Sequence, residues 1–228
     1  MLSEERKERN RQQIIRVSTS LFIKQGIETT TLAQIAKESG VVCRTVSNIF
    51  GSKSSLVLED LRYILQKIME RLDRMIVTPE YQALSGLEQI MRTLRLRGEL
   101  VEDRPEILLL ISEIKVWIAR GCHDERVLQV YMENLDGIYR ITSDALTKGL
   151  QDGSVNPRIQ QKQALSMLVS SFRAVIQQLA QVKMNPSFDK MVDASEQLKM
   201  QLELIQMGLS YHENSAKRTQ QEDAQHEF

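Results

Sequence analysis

Turn-forming and aromatic residues are scarce in this chain: 10 Gly, 4 Pro and 5% aromatics among 228 residues. That scarcity, with little Val-Thr-aromatic alternation, excludes a sandwich or barrel of many short strands. Cysteine is also rare. Cys43 and Cys122 stand far apart with no CxxC and no Cys/His ligand spacing, which argues against a disulfide framework or a structural zinc site. They read as free thiols of a reducing cytosol. The histidines are His123, His212 and His226, and no GxSxG, HExxH, P-loop or dinucleotide fingerprint accompanies them. No catalytic residue, metal site or cofactor is therefore expected. The run "CHDE" at 122–125 offers ligand-type residues, but consecutive residues rarely converge on one ion, and a turn is the better reading.

Long apolar runs are missing as well. No stretch of about 18 apolar residues exists, so no membrane span is expected, and the start "MLSEERKERNRQQ" has no apolar segment of the signal-peptide kind. What remains is 42% hydrophobic and 26% charged, dominated by Leu, Ile, Met, Gln, Glu, Lys and Arg. This is helix-forming composition, and it predicts a soluble, cytoplasmic, all-α protein. Net charge is zero, with 30 residues of each sign. Residues 1–58 nevertheless hold nine Lys or Arg against five Glu, 9 − 5 = +4, which leaves −4 for the rest. A basic end on a neutral chain suits local contact with a polyanion. Basic residues at 6–16 interleave with Glu4, Glu5 and Glu8, so a solvated face competes there.

Periodicity and breakers predict about nine helices. The first covers 3–25, with Ile14, Ser18, Leu21 and Phe22 on one stripe and Gly26 as its stop. Thr31-Leu32-Ala33-Gln34 fits a capping box that opens the second, which ends before Gly40. A third, Cys43 to Phe50, buries Val46, Ile49 and Phe50. Ser52 then caps a fourth that continues to Val77, before Thr78-Pro79. Further helices are expected at 84–102, 105–120, 125–151, 159–183 and 188–211, with "QDGSVNPRI" a loop and 212–228 a disordered polar tail.

Two short helices joined through a glycine turn and braced by a third make a helix-turn-helix. The inner side of the third helix packs on the first two, and its outer side is left polar for the major groove. Cys43, Arg44, Ser47 and Asn48 fall on that outer side. Arg can donate to guanine O6 and N7, and Asn can pair with adenine N6 and N7.

The stretch "IIRVSTSLFIKQGIETTTLAQIAKESGVVCRTVSNIFGSKSSLV" resembles the amino-terminal domain of TetR-family transcriptional regulators. Ile14-Ile15, Leu21-Phe22, Gly26, Thr30-Thr31, Ile35-Ala36, Gly40-Val41, Thr45-Val46, Phe50, Ser52-Lys53 and Leu56 carry the likeness in order. The resemblance implies phosphate contacts at Thr31 and Lys53, where free amides at helix starts also attract anions. It implies recognition-helix contacts at Val42, Cys43, Arg44, Thr45, Ser47 and Asn48. Three residues depart from the family pattern. An aromatic is usual where Ser47 stands, a small residue is frequent where Arg44 stands, and a His is common where Ile49 stands, so no known operator carries over.

The same resemblance implies a DNA-binding domain at 1–52 and a ligand-binding and dimerisation domain at 53–211. Its implied function is a homodimeric regulator, a repressor that binds a pseudo-palindromic operator in double-stranded DNA and is released by an unidentified small-molecule effector. Apolar stripes on the last two helices then supply the dimer interface, through Leu168, Phe172, Val175, Leu179, Met191, Leu198, Leu202 and Ile205. Met91, Leu94, Trp117, Tyr131, Leu135, Tyr139 and Met167 are candidates for the ligand pocket, with Glu113, Lys115 and Arg140 as polar anchors. The competing reading is a helical protein-protein adaptor in which the helix-turn-helix serves packing only.

Overall fold

A computed structural model describes residues 2–120, 125–188 and 193–210 of the chain. Every regular element among them is helical, apart from one isolated bridge between Val155 and Ser210. The helices are α1 (Leu2–Gln25), α2 (Leu32–Glu38), α3 (Cys43–Phe50), α4 (Lys53–Ile76), α5 (Pro79–Ala83) and α6 (Gly86–Asp103). They continue as α7 (Pro105–Ala119), α8 (Glu125–Gln151), α9 (Gln161–Ser166), α10 (Phe172–Met184) and α11 (Ala194–Leu209).

Capping chemistry sets most starts. Thr31 Oγ1 accepts from Gln34 N at 3.2 Å, and Gln34 Oε1 accepts from Thr31 N at 2.9 Å, so the box that opens α2 is complete. Ser52 Oγ accepts from Ser55 N at 3.1 Å and opens α4. Thr78 caps α5, a single turn beginning on Pro79 between the helices expected to end at Val77 and to start at 84. Ser85 and Glu88 form a second capping box at α6.

The last two predicted helices change most. The helix expected over 159–183 is interrupted by a π-helical turn at Met167–Ser171. The one expected from 188 starts at Ala194, because Asp193 Oδ1 accepts from Ser195 N and Glu196 N at 2.8 and 3.0 Å and fixes the N-cap there. A short 3-10 turn, Pro186–Phe188, precedes it. The predicted turn at 122–125, but for Glu125, which opens α8, lies outside the described residues, as do Met191 and the tail at 212–228.

Two large cores result. One joins α1–α3 to α4 and α7 through Ile14, Phe22, Ile35, Val46, Leu56, Leu61, Leu110 and Ile114. The other lies among α6, α8, α10 and α11. Where α6 starts against the end of α8, a Cβ on Gly86 would lie 1.9 Å from Gly149 N, so only glycine permits that crossing. Helix α4 packs on α1 and α3 near its start and on α7 and α8 farther along. One rigid element therefore touches α1 and α3 as well as the larger bundle.

Candidate nucleic-acid interface and effector cavity

Helix α3 is held by its buried side and offers the other. Val46 is fully buried, Phe50 nearly so and Ile49 partly. Cys43, Arg44, Ser47 and Asn48 are exposed, Val42 is 69% exposed at the N-cap, and Thr45 is half-buried. The turn into α3 is closed by the backbone: Ser39 N donates to Ile35 O, Gly40 N to Lys37 O and Val41 N to Ala36 O, at 2.9–3.2 Å. Gly40 has φ +69°, a conformation that glycine adopts without a steric penalty.

The two predicted phosphate contacts lie at neighbouring helix starts. Thr31 is exposed and caps α2. Lys53 Nζ donates to Glu28 O at 3.1 Å, which ties the first residue of α4 to the α1–α2 turn. Behind this face, Thr30 is fully buried and donates to Gly26 O at 2.7 Å. The α1–α2 turn is also fixed from the larger bundle, because Glu113 Oε1 on α7 accepts from Ile27 N at 2.6 Å.

Between α1 and α4 lies a buried acid, Asp60, whose Oδ1 sits 2.9 Å from Ser18 Oγ and 3.3 Å from Thr19 Oγ1. Its Oδ2 has no partner. Burial holds the Asp60 carboxyl well above its ordinary value of 3.8, and the two hydroxyls oppose this only in part. Ser18 has one hydroxyl hydrogen and also faces the carbonyls of Ile14 and Ile15 at 2.9 and 3.1 Å. A protonated Asp60 donating to Ser18 Oγ leaves that hydrogen to the carbonyls, so the neutral acid fits the site best.

Between the middle helices lies a small, partly open cavity of about 60 Å³. Leu65 and Ile68 of α4, Arg97 and Leu100 of α6, Leu108 and Ile111 of α7, Tyr131, Asn134, Leu135 and Ile138 of α8, and Arg173, Ile176 and Gln177 of α10 line it. Of the seven predicted pocket residues, Tyr131 and Leu135 are there. Met91 and Leu94 are buried in the second core, Trp117 packs against the first, and Tyr139 shares a hydrogen bond with Ser170 at 3.0 Å. Met167 is 43% exposed on the outside. Lys115 Nζ donates to Gln177 Oε1 at 3.2 Å, beside the cavity, whereas Arg140 is exposed and Glu113 serves the α1–α2 turn. Arg97 was not anticipated. It sits one helical turn from Thr93, Leu94 and Val101 on the buried stripe of α6, and a charge on an apolar stripe was the signal available.

The predicted dimer stripe faces mostly inward. Leu168, Phe172, Leu179 and Leu198 are at most 8% exposed and belong to the chain's own second core, while Val175, Leu202 and Ile205 are half-buried. Packing against α6 explains this, since both α10 and α11 turn their apolar sides to it. The outward side of α11 instead carries Met200, Leu204 and Met207, 55–70% exposed. They follow an i, i+4, i+7 pattern beside an open groove lined by Ile159, Ala164 and Met167.

Residues 14–59, which span α1 to the start of α4, match the model of the bacterial regulatory proteins of the tetR family. These residues are similar to the amino-terminal domain of TetR-family regulators. The HTH-type transcriptional regulator HbdR of Aromatoleum sp. (strain CIB) is 36% identical to the chain over 69 residues, 30% of each protein. The match thus spans under a third of that relative's length. Over nearly the whole chain, this domain and the bundle behind it share their fold with two solved regulators. FadR of Bacillus subtilis, in complex with stearoyl-CoA, superposes with TM-score 0.67 at 20% identity, covering 87% of this chain and 98% of that one. The ketosteroid regulator KstR2 of Mycobacterium tuberculosis gives TM-score 0.63 at 15% identity, covering 89% and 95%. Among the described residues no group of His, Cys, Asp and Glu could hold a metal, and no helix is long and apolar enough to cross a membrane.

Proposed function

We propose that the protein is a homodimeric, effector-responsive transcriptional regulator, acting as a repressor on a pseudo-palindromic operator. The observation that carries this is α3: a short helix pinned by buried Val46 and Phe50, with Arg44, Ser47 and Asn48 exposed in a domain that matches the TetR family. Residues 1–52 are the DNA-binding unit and 53–211 the effector and dimerisation unit. Arg44 and Asn48 read base edges, Val42, Cys43, Thr45 and Ser47 complete the reading face, and Thr31 and Lys53 hold phosphates.

A second copy docks on the outward face of α11 and the adjoining groove. Met200, Leu204 and Met207 are large apolar groups without cover, and a two-fold contact there would bury each twice per dimer. Such a dimer presents two α3 helices about one DNA turn apart. The effector occupies the cavity among α4, α6, α7, α8 and α10. Filling it displaces Leu65 and Ile68, hence α4, hence the spacing of the two α3 helices. FadR of Bacillus subtilis, which shares the fold, was solved with stearoyl-CoA, and that supports an effector in this architecture.

Selection from a random duplex pool, followed by fluorescence anisotropy over a salt series, tests the reading. The expected product is an inverted repeat, bound with a log Kd that rises steeply with log salt. A folded dimer that enriches no sequence at low salt would leave the adaptor reading in its place.

A further inference from the structure

The cavity is apolar in its walls and cationic at one side. Arg97 is 4% exposed, and its guanidinium reaches only the carbonyls of Leu168 and Val169, both at the long distance of 3.4 Å. Those carbonyls belong to the π-helical turn at Met167–Ser171, an irregularity frequently found at functional sites. Arg173 lines the same cavity, with Nη1 buried and unpartnered, and Tyr131 Oη is likewise buried without a partner. Lys115 stands just behind, bonded to the lining residue Gln177. Among the described residues no Asp or Glu lines the cavity. Carboxylates on α6 and α7 are engaged elsewhere: Glu99 with Arg71, Glu102 with Lys183, Glu113 with Ile27 N.

Burying cations together without a counter-charge is costly. Its effects are visible in the side chains: burial and the neighbouring Arg173 push Arg97 down to about 10, and the same two causes lower Lys115. Arg97 finds partial relief over the Phe172 ring, 5.3 Å from its centroid, and Arg173 lies 6.0 Å from that of Tyr131. An anion arriving among these groups would supply what the protein withholds.

We propose that the cavity recognises an alkyl carboxylate, its carboxylate seated on Arg97, Arg173 and Lys115 with the Tyr131 hydroxyl as a further donor. The chain of the ligand lies along the Leu and Ile side chains of α4, α7 and α10. This deepens the effector-responsive reading and rests on it. At about 60 Å³ the cavity holds roughly two waters, so the ligand must enlarge it. Leu65 and Ile68 form the α4 wall, and enlargement therefore acts on the helix that joins the two parts of the chain.

Octanoate, octanol, octylamine and octyl phosphate, titrated into the full chain by calorimetry and thermal shift, separate headgroup from tail. Octanoate should bind and raise Tm, with octanol and octylamine weaker by about tenfold or more, as loss of a charge-assisted hydrogen bond implies. Arg97→Met and Arg173→Gln should each weaken octanoate by about tenfold. Arg97→Met should leave the unliganded Tm at or above wild type, because an uncompensated buried cation has been removed; a merely structural arginine would lower it. Octanol binding as well as octanoate, octyl phosphate binding more tightly, unchanged octanoate affinity in both variants, or no binding of octanoate would each overturn the proposal. DNA affinity measured in parallel keeps the two readings apart. Arg97-dependent octanoate binding that leaves DNA affinity unchanged defeats the effector-responsive reading while the carboxylate seat stands. Sequence-specific DNA binding with no octanoate binding does the reverse.

Discussion

Glu113→Ala removes a side-chain acceptor that α7 offers the α1–α2 turn. Its Oε1 takes the Ile27 N–H at 2.6 Å, and the Ile27 side chain is fully buried in the core of the first three helices. A hydrogen bond to a charged group contributes about 1.5–3 kcal/mol net. Glu113 is half-buried, so water can partly replace it, and we expect a smaller loss, about 1–2 kcal/mol. For a chain of this size that corresponds to a fall in Tm of roughly 2–8 °C. Glu113→Gln keeps an amide oxygen at the same place and should lose less than half as much. Hydrogen exchange at the Ile27 amide reads the contact itself: protection should drop about tenfold or more in Glu113→Ala and little in Glu113→Gln. An unchanged Ile27 exchange rate and Tm in Glu113→Ala would refute the claim that α7 fixes this turn. Equal damage from Gln and Ala would show that charge, and not the hydrogen bond, is what matters.

Two other substitutions probe the frame and the assembly. Because the Asp60 carboxyl is held above its ordinary value of 3.8, the folded state binds its proton more tightly than the unfolded state. Stability from this group is then present below that value and falls as pH rises through the window above it, by at most about 1.4 kcal/mol per pH unit. Asp60→Asn should flatten that fall, gaining on wild type as pH rises, which urea unfolding across a pH series would show; parallel profiles would contradict the assignment. Leu204→Glu, on the exposed side of α11, should convert dimer to monomer in sedimentation velocity while the helical spectrum is kept, with dimerisation weakened by about 3 kcal/mol or more for two copies of the change.

Much of the fold was legible because local chemistry and tertiary packing agree in it. The capping box at Thr31 and Gln34, the Ser52 cap and the stops at Gly26 and Gly51 are written in short-range residue patterns, and α2, α3 and α4 begin where those patterns say. The exposed polar side of α3 was legible for the same reason, since its polar and apolar residues separate at helical spacing. The start of the last helix was missed because Phe188 and Val192 extend an apolar stripe past the true cap at Asp193.

Partners are harder to read from one helix. A stripe such as Leu168, Phe172, Leu179 and Leu198 says that one side is buried and does not say by what; here α6 packs on it, and the exposed side of α11 carries Met200, Leu204 and Met207. Arg97, Asp60 and Glu113 act across elements distant in sequence. Their roles follow from who faces them, which periodicity along one helix cannot supply.

The most direct test of the account is the base specificity of α3. Against an inverted repeat selected from a random pool, Arg44→Ala should lose about 1–3 kcal/mol at one base position in each half-site and lose discrimination there. Its affinity for unrelated duplex should stay near wild type. A folded Arg44→Ala dimer that keeps full affinity and full discrimination at every position would contradict the claim that this helix reads DNA through Arg44. A wild-type dimer that prefers no sequence would contradict the account as a whole.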